Sequence, residues 1–295
     1  MKIAVYLSTF RTLKTASSVA SMLTGWQKQG VEVLIAGATS GVFLDQGINI
    51  YLNGIAITKE CSDDIDFVLS LGGDGTFLRA AHWVGNREIP IAGVNLGNLG
   101  YLTSFGYDEL THIPELLNSR NFDIESRTLL KVEFDEAVLS EGDDIWNYAL
   151  NELAVIKQDT ASMISIPVTL NGKELGTYSA DGLIVSTPTG STAYNLSVGG
   201  PVLQPTVDAW VLSPIADHSL TMRPMVISNS ARLELTAVGR AHSFRVSVDG
   251  KSFILPAGSK VGVSKAPFVC KMVCKKGAMF SSTLMSKLLW GKGGR

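Results

Sequence analysis

Four short apolar runs in the first third of the chain are each followed by polar, glycine-rich or helical sequence. Ile3 to Leu7, Val31 to Ala36, Phe67 to Leu71 and Ile89 to Val94 read as buried strands. Residues 15–29 carry a helical pattern ended by Gly30, and a second helical stretch covers positions 76–84. Strands alternating with helices predict a parallel sheet with helices on its faces, a Rossmann-like α/β domain over residues 1–120. Ligands of such sheets sit beyond the carboxyl ends of the strands. Two glycine clusters, one after Leu71 and one after Val94, lie at such ends.

The pattern changes after residue 120. Strand-like segments follow near 128–134, 145–157, 164–170, 177–187, 209–214, 231–238, 243–248 and 252–255. Asn171-Gly172 and Asp249-Gly250 are favoured hairpin dipeptides between them. This predicts a mostly-β, sandwich-like domain over residues 121–265. A buried-strand pattern at 268–274 and a short amphipathic stretch at 282–290 predict a tail, 266–295, that packs back on the first domain.

Composition narrows the function classes. The 295 residues suit about two domains. With 45% hydrophobic and 18% charged residues the chain is globular, not disordered. A net charge of -2 gives no global positive field for nucleic acid. After Asp249 there is no acidic residue, while Lys251, Lys260, Lys265, Lys271, Lys275, Lys276, Lys287, Lys292 and Arg295 follow. Such a run is a solvated basic tail or a positive rim that attracts a polyphosphate. Cys61, Cys270 and Cys274 are too few for a disulfide framework and point to a reducing compartment; Cys270 and Cys274 read as strand or core residues rather than zinc ligands. Met1 to Leu7 is apolar, but Ser8, Thr9 and Arg11 cut it too short for a signal peptide. No apolar run reaches the ~20 residues of a membrane span. Both observations place the expected location in the cytoplasm.

Four elements could carry chemistry. Leu71-Gly72-Gly73-Asp74-Gly75-Thr76 follows a strand and opens a helix, where glycines and free N–H groups suit a phosphate. A carboxylate there needs a compensating cation or a proton-transfer role; the structural alternative is an Asp-Gly turn with Thr76 capping the helix. Gly93 to Tyr101 makes a tight loop after the next strand, without the dinucleotide fingerprint. Asn151-Glu152 interrupts apolar sequence, so it either binds something or marks a bulge or sheet edge. Asp181 to Asn195 runs from an apolar strand into a hydroxyl-rich loop whose density of donors suggests a polar ligand, with Tyr194 as a stacking face. His218 follows Asp217 without a serine elbow, His82 reads as a packing residue, and His112 and His242 lack ligand-spaced partners; no protein metal site is expected. The P-loop motif is absent.

In this order the four elements resemble the NAD kinase family. The Gly72–Thr76 loop alone is shared with diacylglycerol, sphingosine and 6-phosphofructokinases; Asn95–Tyr101, Asn151-Glu152, Asp181-Gly182 and Thr187–Tyr194 make the combination specific, and the likeness extends from residue 1 to about 275. The resemblance implies transfer of the γ-phosphoryl of ATP, with Mg²⁺ or another divalent cation, to the 2′-hydroxyl of the adenosine ribose of NAD, giving NADP. It implies Asp74 as general base, Gly75 as a backbone contact to the nucleotide and Arg79 as a basic position one turn on. It implies Asn151, Glu152 and Asp181 as NAD-binding groups, and Thr192, Ala193, Tyr194, Asn195 and Ser197 as the substrate-binding turn. Ala216 matches more loosely, because Asp217 replaces the proline common in many members. It also implies a homo-oligomer, commonly a tetramer, with sites near subunit contacts. The alternatives are a lipid kinase of the diacylglycerol or sphingosine type and a non-catalytic NAD(P)-binding sensor; neither a nucleic acid nor a membrane partner is expected.

Overall fold

The computed structural model describes residues 1–10, 12–49, 54–97, 100–134, 147–158, 163–219, 221–240 and 242–288. Arg11, Asn98, Leu99, positions 145–146 and 289–290, Lys292 and Arg295, all used above, lie outside them. The chain divides into two compact units, Met1–Ser126 with Cys270–Arg295, and Arg127–Val269.

The first unit holds β1 (Lys2–Leu7), α1 (Leu13–Lys28), β2 (Glu32–Ala36), α2 (Gly41–Leu44), β3 (Ala56–Thr58), β4 (Phe67–Leu71), α3 (Asp74–Val84), β5 (Ile91–Asn95), β6 (Phe105–Gly106) and α4 (Ile113–Asn118). Strand β7 (Phe122–Phe134) leaves it. Its parallel sheet runs β3-β2-β1-β4-β5. The apolar strands form its centre: Ile3, Ala4, Val5, Val68, Leu69, Ile91 and Ala92 are all fully buried. That is the composition of a sheet covered on both faces. Helix α1 buries Ala16, Val19, Ala20, Leu23 and Trp26, one stripe at helical spacing. The strand order reverses direction between β1 and β4, which is where an open α/β sheet leaves a crevice for ligand. Ser8 N donates to Leu71 O at 2.9 Å, so the carboxyl ends of these two strands are tied together at that point.

The second unit contains β8 (Tyr148–Ala149), β9 (Glu152–Lys157), β10 (Ile164–Leu170), β11 (Lys173–Ala180), β12 (Gly182–Ser186), α5 (Tyr194–Ser197), β13 (Ala209–Ile215), β14 (Met225–Ser228), β15 (Leu233–Thr236), β16 (Ser243–Val248) and β17 (Lys251–Pro256). One antiparallel sheet has the order β14-β13-β12-β9-β16-β17. A second is built from β11, β10, β15 and the start of β18 (Lys260–Lys275). Alternate residues face a shared core: Ile164, Ile166, Val168, Leu233 and Leu235 from one sheet, Leu153, Val155, Leu183, Val185, Trp210 and Val246 from the other. Asn171 and Asp249 sit at φ 52 and 47, followed by Gly172 and Gly250 at φ 77 and 86. Both hairpins thus take the left-handed pair that Asn-Gly and Asp-Gly favour. The expected fold class, a Rossmann-like parallel domain joined to a mostly-β sandwich-like one, is what the chain adopts.

Strand β18 returns the chain to the first unit, where Met272 and Val273 pair in parallel with Ile91 and Ala92. Cys270 and Cys274 are buried strand residues there, as read. Helix α6 (Phe280–Lys287) follows. Four of the seven described residues of the basic run are ion-paired: Lys260 with Glu234, Lys265 with Asp208, Lys271 with Glu88 and Lys275 with Glu109, at 2.8–3.4 Å. That weakens the case for a positive rim.

Candidate active site

In the first unit, β4 ends at Leu71 and α3 begins at Asp74, with Gly73 as its N-cap. Among the described residues no side chain caps this helix, so Thr76 does not play the capping role considered for it. Thr76 is buried and its Oγ1 accepts from Arg79 Nη2 at 3.3 Å. Gly72 has φ +157, and a Cβ there would press on the Thr76 and Ser8 side chains, so the tight passage from strand to helix needs glycine. Gly73 and Gly75 are exposed at the mouth of the turn. The Arg79 guanidinium also bonds the Tyr6 hydroxyl.

Asp74 reaches across to the second glycine loop. Its Oδ2 accepts from Tyr101 N at 2.7 Å and its Oδ1 from Leu102 N at 2.9 Å. A side chain on Gly100 would overlap this carboxylate. The second loop is folded on itself by Asn95 and Thr103: Gly97 N donates to Asn95 Oδ1, Asn95 Nδ2 to Thr103 Oγ1, and Gly100 N to Thr103 Oγ1, at 2.6, 3.2 and 3.1 Å. The two glycine loops therefore form one assembly, with Asp74 as its hub. The carboxylate keeps one lone pair on each oxygen for a further donor.

In the second unit, Asn151-Glu152 stands at the start of β9, beside the loop that follows β12. Thr187 N donates to Asn151 O at 2.9 Å, and a Cβ on Gly190 would overlap Asn151's backbone. The hydroxyls of this loop turn inward. Ser186, Thr187, Thr189 and Ser191 are buried. Thr187 Oγ1 donates to Leu150 O at 2.5 Å, and Ser191 Oγ donates to Pro188 O at 2.6 Å and accepts from Leu203 N at 2.9 Å. Their density reflects a loop that is held together by its own side chains. Asn195 is likewise fully buried, donating to Ser191 O and Pro201 O and accepting from Ser213 Oγ. What faces outward is Thr192, Ala193, Tyr194 and Ser197, with the Tyr194 ring exposed and its N–H directed at the Glu152 carboxyl.

Asp181 and Ala216 lie elsewhere. Strand β12 separates Asp181 from the hydroxyl loop, a distance of about 15 Å at the usual rise per residue. Asp181 binds Lys157 Nζ at 2.6 Å and stands 3.9 Å from His218 Nε2. Its N–H donates to Ile215 O, next to Ala216, which is exposed at φ 46. An alanine held in the left-handed region costs about 1 kcal/mol and is worth noting at a site. The predicted residues thus form three groups: Asp74, Gly75 and Arg79; Asn151, Glu152 and Thr192–Ser197; and Asp181 with Ala216, to which the structure adds Lys157 and His218.

The structure adds to the second group a residue that the sequence marks only as a turn. Asp249 sends its carboxylate back to three successive N–H groups: Leu150 at 2.7 Å, Asn151 at 2.8 Å and Glu152 at 3.1 Å. Its hairpin dipeptide predicts the turn and carries no sign of a partner some hundred positions earlier. Burial raises the Asp249 carboxyl, against the pull of those N–H groups. Burial first, and then the Asp249 charge, push Glu152 up to about 7, opposed by the Tyr194 N–H. Glu152 Oε2 is buried and meets no partner among the described residues.

This has a consequence for stability. A carboxyl raised in the folded state stabilises fully below its unfolded value of 4.5, and the contribution is lost as pH rises through about 7. Glu152→Gln should remove that loss. Its unfolding free energy relative to the parent is expected to improve between pH 4.5 and 8 by up to about 3 kcal/mol. Chemical denaturation at the two pH values measures this, and an equal difference at both would contradict the shifted titration.

Comparison with known proteins follows the same division. The ATP-NAD kinase N-terminal domain model matches residues 12–121, and the ATP-NAD kinase C-terminal domain model matches residues 150–274. A Bacteroides fragilis protein named NAD kinase is 37% identical over 295 residues, covering 100% of both chains. One from Porphyromonas gingivalis is 36% identical over 290 residues, 98% of each. Among solved structures, an Archaeoglobus fulgidus NAD kinase in complex with ATP is 27% identical with a TM-score of 0.72, covering 98% of this chain and 99% of that one. A yeast NADH kinase complexed with NADH shares the fold, with a TM-score of 0.86 at 22% identity, covering 100% of this chain and 89% of that one. Matched in both halves and alike from end to end, the chain belongs to the ATP-NAD kinase family.

Proposed function

We propose that the protein transfers the γ-phosphoryl group of ATP to the 2′-hydroxyl of the adenosine ribose of NAD, giving NADP. The observation that carries this reading is Asp74, fixed by two backbone N–H groups at the start of an uncapped helix beside the β1/β4 crevice. A helix N-terminus favours phosphate. Phosphoryl transfer asks mainly for positioning and charge neutralisation. Asp74 accepts the attacking hydroxyl through a free lone pair, orients it and takes its proton late, as the oxygen becomes acidic. Gly75 leaves backbone open to the nucleotide, and Arg79 supplies positive charge one turn on.

The acceptor falls to the second unit. Tyr194 offers an exposed ring for a base, while Asn151 and Glu152 offer polar groups for base or ribose. Asn195 contributes by holding the turn that presents Thr192, Ala193 and Ser197. ATP is used with a divalent cation, Mg²⁺ by preference. The ion is taken to enter as part of the donor substrate, bound to its phosphates.

The reading extends to assembly and location. Asp181 and Ala216 stand about 15 Å from Glu152 along β12, which suits a homo-oligomer, a tetramer by family likeness, in which one copy's Asp181 group serves another's acceptor. The protein works in the cytoplasm. No specific observation favours a lipid kinase or a non-catalytic sensor.

Incubation with ATP, Mg²⁺ and NAD tests the function, with the product's phosphate position assigned by NMR. NADP phosphorylated at the 2′ position is the expected result. Parallel incubations with diacylglycerol and sphingosine should yield nothing. A phosphorylated lipid, or no NADP at all, would overturn the proposal.

A further inference from the structure

Helix α6 is held loosely: it has no buried residue, and Met285 is half exposed. Phe280, Thr283, Leu284, Lys287 and Leu288 are partly covered, a narrow stripe at helical spacing. Its approach is fixed by Gly277 N, which donates to Asp123 Oδ2 at 2.7 Å. At its last residue the Lys287 ammonium lies 5.1 Å from the centre of the Tyr101 ring, within cation–π range. The Tyr101 hydroxyl is buried and has no hydrogen-bond partner among the described residues, so the phenol end does not anchor the ring. The other end of this residue is the N–H that Asp74 accepts. A continuous line of contacts thus joins the end of the chain to the candidate reactive carboxylate.

We propose that Lys287 is a positioning residue for phosphoryl transfer. Its ammonium holds the Tyr101 ring and so keeps the Tyr101 and Leu102 N–H groups where Asp74 accepts from both. This rests on the reading of Asp74 as the group that faces the acceptor hydroxyl. It gives the basic end of the chain a role that is neither solvated tail nor phosphate binding.

Steady-state kinetics on the full-length protein with its native Asp74 test the idea. Lys287→Met keeps the length and apolar stem of the side chain and removes the cation. It should lower kcat about two- to five-fold, the scale of an exposed cation–π contact, with the KM values for NAD and ATP unchanged. Lys287→Arg should restore kcat, because a guanidinium also stacks on the ring. Tyr101→Leu should lower kcat similarly, and the double variant should be no worse than the worse single one. Thermal melts confirm that each variant folds. An unchanged kcat in Lys287→Met, full additivity with Tyr101→Leu, or a raised KM for ATP at constant kcat would each overturn the proposal, the last by making Lys287 a phosphate ligand. Failure of the Asp74 reading shows separately, as activity surviving in Asp74→Asn.

Discussion

Asp74→Asn should reduce kcat for NADP formation by at least about 10²-fold, the lower end of what general acid–base groups supply. NAD binding should change less than about threefold, because the acceptor groups proposed above belong to the other unit. The substitution removes more than a proton acceptor. Asp74 offers one oxygen each to Tyr101 N and Leu102 N. An asparagine offers one oxygen and one NH₂, so one backbone donor would face another. The second glycine loop is then expected to loosen together with the loss of the base. Isothermal titration with NAD, beside the rate measurement, separates the two effects. Near-parental kcat in Asp74→Asn would remove Asp74 from the chemistry.

The sequence made the first unit legible because its strands are buried on both faces and its glycines fall at their ends. Phe67–Leu71, Ile164–Leu170 and Ser243–Val248 take the limits the pattern assigned. Not every strand gave such a signal. Ala56–Thr58 is three residues long, and Met225–Ser228 is an edge strand with three of its four residues exposed. Met225 to Ile227 are apolar, but neither strand is long enough for a periodicity to show. The candidate site was less legible, for a different reason. A serine that bonds its own loop and a serine that awaits a ligand are the same letter, so the hydroxyls of Ser186–Ser191 looked available when they are internal. The separation of Asp181 from Tyr194 could have been counted beforehand: a five-residue strand lies between the two, and its ends cannot meet. The Asp249 contact could not, since only folding brings β16 against β9.

That contact carries the second large effect. Asp249→Gly should lower the unfolding free energy of the second unit by about 3 kcal/mol and weaken NAD binding at least tenfold. Glycine is the informative replacement, because residue 249 sits at φ 47 and alanine would add backbone strain of its own. With the carboxylate gone, the N–H groups of Leu150, Asn151 and Glu152 lose their acceptor. Each buried donor left unpaired costs about 1–3 kcal/mol, partly offset here because a buried carboxylate is no longer desolvated and water can reach part of the gap. Asp249→Asn tolerates the same backbone and retains one acceptor oxygen, so it should fall between the parent and the glycine variant. A purely local loss of packing would stop there. The electrostatic role predicts something further: without the Asp249 charge, one of the two causes holding Glu152 up to about 7 disappears. Its titration in Asp249→Asn should move down toward the ordinary carboxylate range, leaving burial alone to raise it. Carboxyl-selective NMR on the two proteins reads that movement directly. A Glu152 titration that stays in place would mean that Asp249 shapes the Asn151-Glu152 turn without setting its charge.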